Sequence, residues 1–226
     1  MRRKLMAMHS QIVAFEDPLV KSICVEKFGG VDGITDATYG TVGVKGYDGE
    51  CTYRQLAAVK NIGRAFYGKE IVRFNEFRHF TGIISDSGGF ATCKNLETCI
   101  FPPNIKLINR TFAYSYTNKM RRVVMNEGLN TIEDFSFLGC FADGTSVIIP
   151  STVTYIGNSA LSMFRSSKSL SAIIFNPATP PRMSSNLYTT TKCPIYVPDN
   201  SVELYLQSPL FKYYGTEVLP LSEYQP

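Results

Sequence analysis

At 226 residues, with 44% hydrophobic and 19% charged side chains, the chain is long enough for one globular or elongated domain and too apolar to be disordered. Its net charge of +4 comes from scattered basic residues, Lys60, Arg64, Lys69, Arg73, Arg78, Arg121 and Arg122 among them, with acids between many of them. A nucleic-acid-binding surface would be denser, and no apolar run approaches the roughly 20 residues of a membrane span, so both classes are set aside.

The first element, MRRKLMAMHSQ, carries basic residues ahead of an apolar stretch that runs only from Leu5 to Met8. A secretory segment needs about 7 to 15 apolar residues, so no export signal is read here. Either the chain is not exported by that route, or its leader lies outside this sequence. DPLVKSICVEKF then predicts a helix, with Asp17 as N-cap, Pro18 at the first helical position, and Leu19, Val20, Ile23, Cys24 and Phe28 on one face. An irregular glycine-rich loop is expected from Gly29 to Gly49. Thr52 and Gln55 form a capping-box pair that opens a second helix through Val59. EIVRF reads as a strand, and Asn75 can cap a short helix over Glu76 to Phe80.

GYDGECTYRQLAAV, residues 46–59, has the outline of an EF-hand loop. With Gly49 at the sixth loop position, Val44, Gly46, Asp48, Thr52 and Gln55 fall at positions 1, 3, 5, 9 and 12. Calcium needs carboxylates or amides at 1, 3 and 5 and a bidentate Glu at 12, and only Asp48 supplies a charge. The earlier GGVDGIT is no better. The segment is therefore degenerate, and neither a metal nor a cofactor is expected.

SDSGGF, residues 85–90, is like the nucleophile segment of trypsin-like proteases, whose chemistry requires a histidine oriented by an acid. The histidines are His9, near the terminus, and His79, eight residues before Ser87. Neither sits in a matching segment, and the glycine pair more simply makes a turn. Dinucleotide, phosphate-loop and zinc-protease motifs are absent, and Glu97, Glu127, Glu133 and Asp134 read as solvated repeat surface. No catalytic residue is assigned. The cysteines at 24, 51, 93, 99, 140 and 193 show no C-x-x-C spacing, and several fall at apolar positions, as buried thiols do.

From Leu96 the chain repeats itself. LETCIFPPNIKLI (96–108), MRRVVMNEGLNTI (120–132) and GTSVIIPSTVTYI (144–156) start 24 residues apart, and LSAIIFNP (170–177) begins a slightly delayed fourth copy. FATC (90–93) and FLGC (137–140) recur between them, with Phe112 and Leu161 in the aromatic's place in the other copies. Apolar sites recur at Leu96, Cys99 and Phe101; Met120, Val123 and Met125; Val147 and Ile149; and Leu170, Ile173 and Phe175. Ile105, Leu129 and Val153 stay in register, as do Ile108, Ile132 and Ile156. A unit of about 24 residues cannot bury these groups alone, so the copies must stack into a solenoid. Asn200 and Glu203 then pair as N-cap and N3 of a last helix, which Phe211 and Tyr214 would help to seat over the final copy.

The run F-x-x-C-x-x-L…I-x-x-P…V-x-x-I-G-x-x-A, fullest in VIIPSTVTYIGNSAL, resembles the BspA-like class of bacterial leucine-rich repeats. The tail NPATPP…CPIYVPDNSVELY and the segment DGECTYRQLAAVKNIGRAF resemble the family's end and leader regions. Copy two departs, with NEG where proline is usual. The resemblance implies an α+β repeat solenoid: a parallel β-sheet on one face, irregular turns and short helices on the other, and a helical N-terminal cap. The expected organisation is a cap with the degenerate EF-hand-like segment over 1–81, about four repeats over 82–198, and a C-terminal capping helix and tail over 199–226.

Alternating with the core sites are Thr98 and Ile100, Arg122 and Val124, Ser146 and Ile148, and Ala172 and Ile174, with Glu97 and Arg121 at the rim. The column Ile100, Val124, Ile148, Ile174 is an apolar ladder that points away from the core. It has two readings: β-branched residues packing against their cross-strand neighbours, or a shallow strip for a partner. The expected function is a non-enzymatic interaction module, binding an unidentified protein or glycan through this face as a monomer or weak oligomer. The resemblance implies cell-surface adhesion and an extracellular or surface location. The alternative is a structural part of a larger assembly, such as a mobile-element or phage particle, with a cytoplasmic or particle-associated location.

Overall fold

The computed structural model describes residues 12–29, 49–115, 119–162, 170–184, 193–208, 211 and 217–226. Two helices lead, α1 (Pro18–Phe28) and α2 (Tyr53–Ala58). Among the described residues twelve short strands follow, alternating between two sides of the molecule as far as β11. On one side lie β1 (Arg73–Phe74), β3 (Thr98–Ile100), β5 (Arg122–Val124), β7 (Ser146–Ile149), β9 (Ala172–Phe175), β11 (Ile195–Val197) and β12 (Val218–Pro220). On the other lie β2 (Ser85–Ser87), β4 (Leu107–Asn109), β6 (Thr131–Ile132), β8 (Tyr155–Ile156) and β10 (Arg182–Met183). Helix α3 (Val202–Gln207) precedes β12.

All pairings between these strands are parallel. The even strands up to β10 form one five-stranded sheet, ordered β10-β8-β6-β4-β2, while β12 joins the odd strands. The others form two pieces, β1-β3-β5 and β12-β11-β9-β7. Each turn of the chain therefore contributes one strand to each side, and stacked turns make a solenoid of coils with a single core between the sides. The turn-bearing side predicted from the sequence thus carries a second parallel sheet, with strands of only two or three residues.

The repeat's apolar sites fill the core: Leu96, Cys99, Phe101, Val147, Ile149, Leu170, Ile173 and Phe175 are all buried, as are the register mates Ile108, Ile132 and Ile156. Val123 is half-buried, because β5 does not pair with β7 and the odd-strand sheet is interrupted beside it. Just there, Met120 instead makes a lone parallel bridge to Phe141. All six cysteines are buried and unpaired.

Asp17 does more than the N-cap role read from the sequence. One carboxylate oxygen accepts from the N–H groups of Leu19 at 2.9 Å and Val20 at 3.4 Å. The other accepts from Val72 at 2.6 Å and Arg73 at 3.3 Å, the start of β1. A single buried carboxylate thus fixes α1 to the first strand. Val20, Ile23, Cys24 and Phe28 are buried as expected, while Leu19, expected on the same face, is 38% exposed at the helix's first turn. The Thr52–Gln55 capping box forms, with both reciprocal bonds present. Helix α2 stops at Ala58, with Val59 extended beyond it.

Two cap assignments need correcting. Asn75 is the first residue of a 3-10 helix (Asn75–His79) rather than its cap, and its side chain donates to Glu16. Asn200 lies inside another 3-10 turn, so α3 is preceded by Ser201, whose hydroxyl donates to Ala178 O at 2.8 Å. At Asn75 a tertiary acceptor takes the side chain that local sequence assigned to a cap, and before α3 a tertiary acceptor takes the Ser201 hydroxyl. Phe211 packs on Phe175 and Tyr205, with ring centroids 5.3 and 4.9 Å away. Tyr214, most of the Gly29–Gly49 loop, and Val44, Gly46 and Asp48 of the EF-hand-like segment lie outside the described residues.

Replacing Asp17 with Ala removes a cap and leaves the Val72 and Arg73 N–H groups without their acceptor. The expected loss is roughly 2 to 4 kcal/mol in urea unfolding, with Asp17→Asn losing less. A loss under about 1 kcal/mol would show that the bridge between cap and sheet contributes little.

Candidate functional site

The outward face of the odd strands is built by register. Thr98 pairs with Arg122 and Ile100 with Val124 in one sheet piece; Ser146 pairs with Ala172 and Ile148 with Ile174 in the other. The predicted columns therefore form, but not as one continuous sheet. Between Val124 and Ile148 the ladder crosses the gap between β5 and β7.

Exposure divides the face further. Ile148 is 54% exposed, Arg121 and Arg122 are exposed, and Glu97, Thr98, Ile100, Val124 and Ser146 are half-buried. Ala172 and Ile174 are each only 3% exposed. Ile174 lies in register with Tyr196 of β11, whose ring packs edge-on against Tyr224 at 5.0 Å. The large Tyr196 side chain is therefore the direct cross-strand neighbour of Ile174. The open part of the ladder is thus Ile100, Val124 and Ile148.

The polar groups around it are tied into the backbone ladder. Glu97 O accepts from the N–H groups of Arg121 at 2.9 Å and Arg122 at 3.1 Å, so the arginine side chains project from a fixed rim. Ser146 and Ser171 share a hydroxyl hydrogen bond of 2.7 Å. Tyr196 and Tyr224, which bound the face at its C-terminal end, were not singled out from the sequence. The signal available was CPIYV, whose Ile195 and Val197 alternate around Tyr196 as in the earlier strands.

The protease-like segment takes a structural role. Ser87 ends β2, while His79 sits in the 3-10 helix with its ring edge-on to Tyr53 at 4.6 Å. Among the described residues no hydrogen bond joins the two. Asp86 points inward and accepts from the Gly89 N–H at 3.3 Å. Gly89 lets the turn pack closely, since a Cβ there would lie 2.5 Å from the Asp86 carboxylate and from Ile62, and one or both side chains would have to shift. Among the described residues no cluster of His, Cys, Asp or Glu is placed to hold a metal. Burial raises the thiols of all six cysteines above their usual range, most strongly at Cys24, Cys99 and Cys140, which makes them poor nucleophiles. No described helix is long and apolar enough to cross a membrane.

Comparison with known proteins agrees with this geometry. A family model described as "BspA type Leucine rich repeat region (6 copies)" matches residues 59–201, counting six copies where the sequence pattern alone picks out about four. No curated protein matches the chain. Among solved structures, the pneumococcal vaccine antigen PcpA is similar at 14% identity with a TM-score of 0.44. The match covers 62% of this chain and 40% of the antigen's, so the chain spans less than half of that molecule.

Asp86 gives a measurable handle on the core. Burial pushes its carboxyl up to about 6, opposed by the Thr111 hydroxyl and the Gly89 N–H. The folded state therefore holds the proton more firmly than the unfolded chain, whose Asp titrates near its ordinary 3.8. The stability this group contributes is fully present below about pH 4 and is lost as pH rises through 6, on the order of 3 kcal/mol. Urea melts of Asp86→Asn should show a flatter dependence between pH 4 and 7 than the parent, at roughly this scale. Parallel pH profiles would contradict it.

Proposed function

The chain belongs to the BspA-type leucine-rich repeat family, and on that premise we propose that it is a non-enzymatic interaction module. Its partner is a protein or glycan, met by the open part of the odd-strand face. The observation that carries this reading is Ile148, 54% exposed in the middle of a core strand. An isoleucine there keeps apolar area in water that a partner would cover, and Ile100 and Val124 extend the area across the neighbouring strands. Arg121 and Arg122 border it with charge, matching the apolar-centre, polar-rim pattern of recognition surfaces.

A cell-surface role in adhesion follows from the family's habit rather than from any residue on this face. The chemistry of the thiols is compatible with it: all six are buried and protonated, so an oxidising medium finds none to react with. An interaction role also fits the backbone. Short strands stacked in parallel give a rigid, gently ridged platform, and such a platform selects partners by shape without moving.

The test is a double substitution, Ile100→Glu with Ile148→Glu, in a chain whose melting temperature is first shown to be unchanged. Both side chains face outward, so folding should survive. Binding to immobilised matrix proteins and glycans should fall by tenfold or more, about 1.4 kcal/mol. Binding at the parental level in the folded double variant would refute a role for this face.

A further inference from the structure

The clasp between the N-terminal cap and the first coil is made largely of carboxylates. Glu16 and Asp17 lead into α1, and Glu76 lies in the 3-10 helix Asn75–His79 that follows β1. Asp17 accepts from four backbone N–H groups, those of Leu19, Val20, Val72 and Arg73. Glu76 is served far less well. Its Oε1 accepts the Glu16 N–H at 3.1 Å, while its Oε2 is buried with no donor among the described residues. The residue is only 2% exposed, so water does not make up the difference. Asn75 completes the clasp, its amide donating to the two Glu16 carboxylate oxygens at 3.0 and 3.2 Å. Glu16 is thus held twice, by its main chain to Glu76 and by its side chain to Asn75.

The groups around Glu76 do little to favour a charge there. Among the described residues no lysine or arginine is in an ion pair with it. Arg78, in the same 3-10 helix, favours the ionised form, and Glu16 opposes it. From α1 and β3 the facing titratable groups are Cys24 and Cys99, which burial keeps as neutral thiols. Lys21 of α1 is already paired with Glu50 at 2.7 Å. From α2, Tyr53 packs on His79 and Arg54 is exposed. Asp86 of β2 borders Cys99, as Glu76 does. A carboxylate shut away from water with one oxygen undonated is costly, and burial accordingly raises the Glu76 carboxyl above its ordinary 4.5.

We propose that Glu76 is a proton-operated latch on the N-terminal cap: protonated, it keeps the Glu16–Asp17 segment seated on the first coil, and ionised, it releases that segment. The seated form holds the proton more firmly than the released form, in which the carboxylate reaches water. Closure is therefore strongest below about pH 4.5 and is lost as pH rises through the raised value. Release is local. Val20, Ile23, Cys24 and Phe28 keep the body of α1 in the core, and the Val13 N–H still donates to Cys51 O at 2.9 Å on the other side of the clasp. What opens is the Asp17 carboxylate's hold on Val72 and Arg73, at the start of β1, the edge strand of its sheet piece. A single ionisation thereby sets how well the first edge of the solenoid is covered.

Hydrogen exchange read by mass spectrometry on the full chain tests this at about pH 4.5 and 7.5, with rates corrected for intrinsic exchange. Protection of residues 14–22 and 70–76, taken relative to residues 120–132, should fall by about tenfold or more at the higher pH, the effect of a shift of one pKa unit. Glu76→Gln still accepts the Glu16 N–H and cannot ionise, so its relative protection at pH 7.5 should match the parent's at pH 4.5. Glu16→Gln, on an exposed side chain, removes the opposing charge and should show a smaller fall than the parent. Asp86→Asn should keep the full fall, which separates the latch from the carboxyl deeper in the core. Equal relative protection at the two pH values in the parent would overturn the proposal. So would a fall that persists in Glu76→Gln, is undiminished in Glu16→Gln, or disappears in Asp86→Asn.

Discussion

Everything in this molecule depends on each coil handing its backbone hydrogen bonds to the next while stacking an aromatic ring on its neighbour's. Phe90, Phe112 and Phe137 show the two demands meeting in single residues. Their N–H groups donate to Thr111 O, Ser136 O and Ala160 O of the following coil at 2.8 to 3.0 Å. Their rings form a column with centroids 5.3 and 5.5 Å apart, close to the spacing of paired strands. The ring-to-ring distance is therefore similar to the coil-to-coil distance that the ladder sets. A coil that lost its aromatic would leave a cavity and also loosen the ladder on either side.

The same constraint explains where the stack is irregular. In the coil after β6 a second aromatic, Phe141, packs on Phe137 at 5.3 Å, and Met120 bridges to it instead of to the next strand. The odd-strand sheet opens between β5 and β7 as a result, leaving Val123 only half covered. Meanwhile the even-strand sheet runs through unbroken from β2 to β10. One side of the solenoid is thus continuous and the other is divided, and the divided side carries the exposed isoleucine.

The ends are closed by different chemistry. At the start, the Asp17 carboxylate serves α1 and β1 at once, and Phe28 packs edge-on against Phe80 at 5.5 Å to seal the aromatic column. At the finish, Tyr205 and Phe211 cover Phe175, with the Tyr205 hydroxyl donating to Pro177 O at 2.8 Å. Burial raises that phenol's pKa well above its usual range, consistent with a hydroxyl that acts as a donor inside the cap. Both caps place an aromatic on the exposed end of the core and satisfy the polar groups that come with it.

The repeat alone determined the solenoid, because apolar residues in register at a 24-residue spacing have no other way to reach a common interior. It also located the caps at Asp17 and Thr52, where the acceptor is two or three residues from its donors. Asn75 and Ser201 show where such local reading stops, since residues distant in sequence, Glu16 and Ala178, take their side chains. The outward column was legible by alternation, but not which of its members meets water. Ile148 and Ile174 are alike in sequence context and pair directly, yet one is exposed and the other covered beside Tyr196. Periodicity fixes which residues share a column. Exposure depends on the neighbouring column, and only the assembled stack sets that.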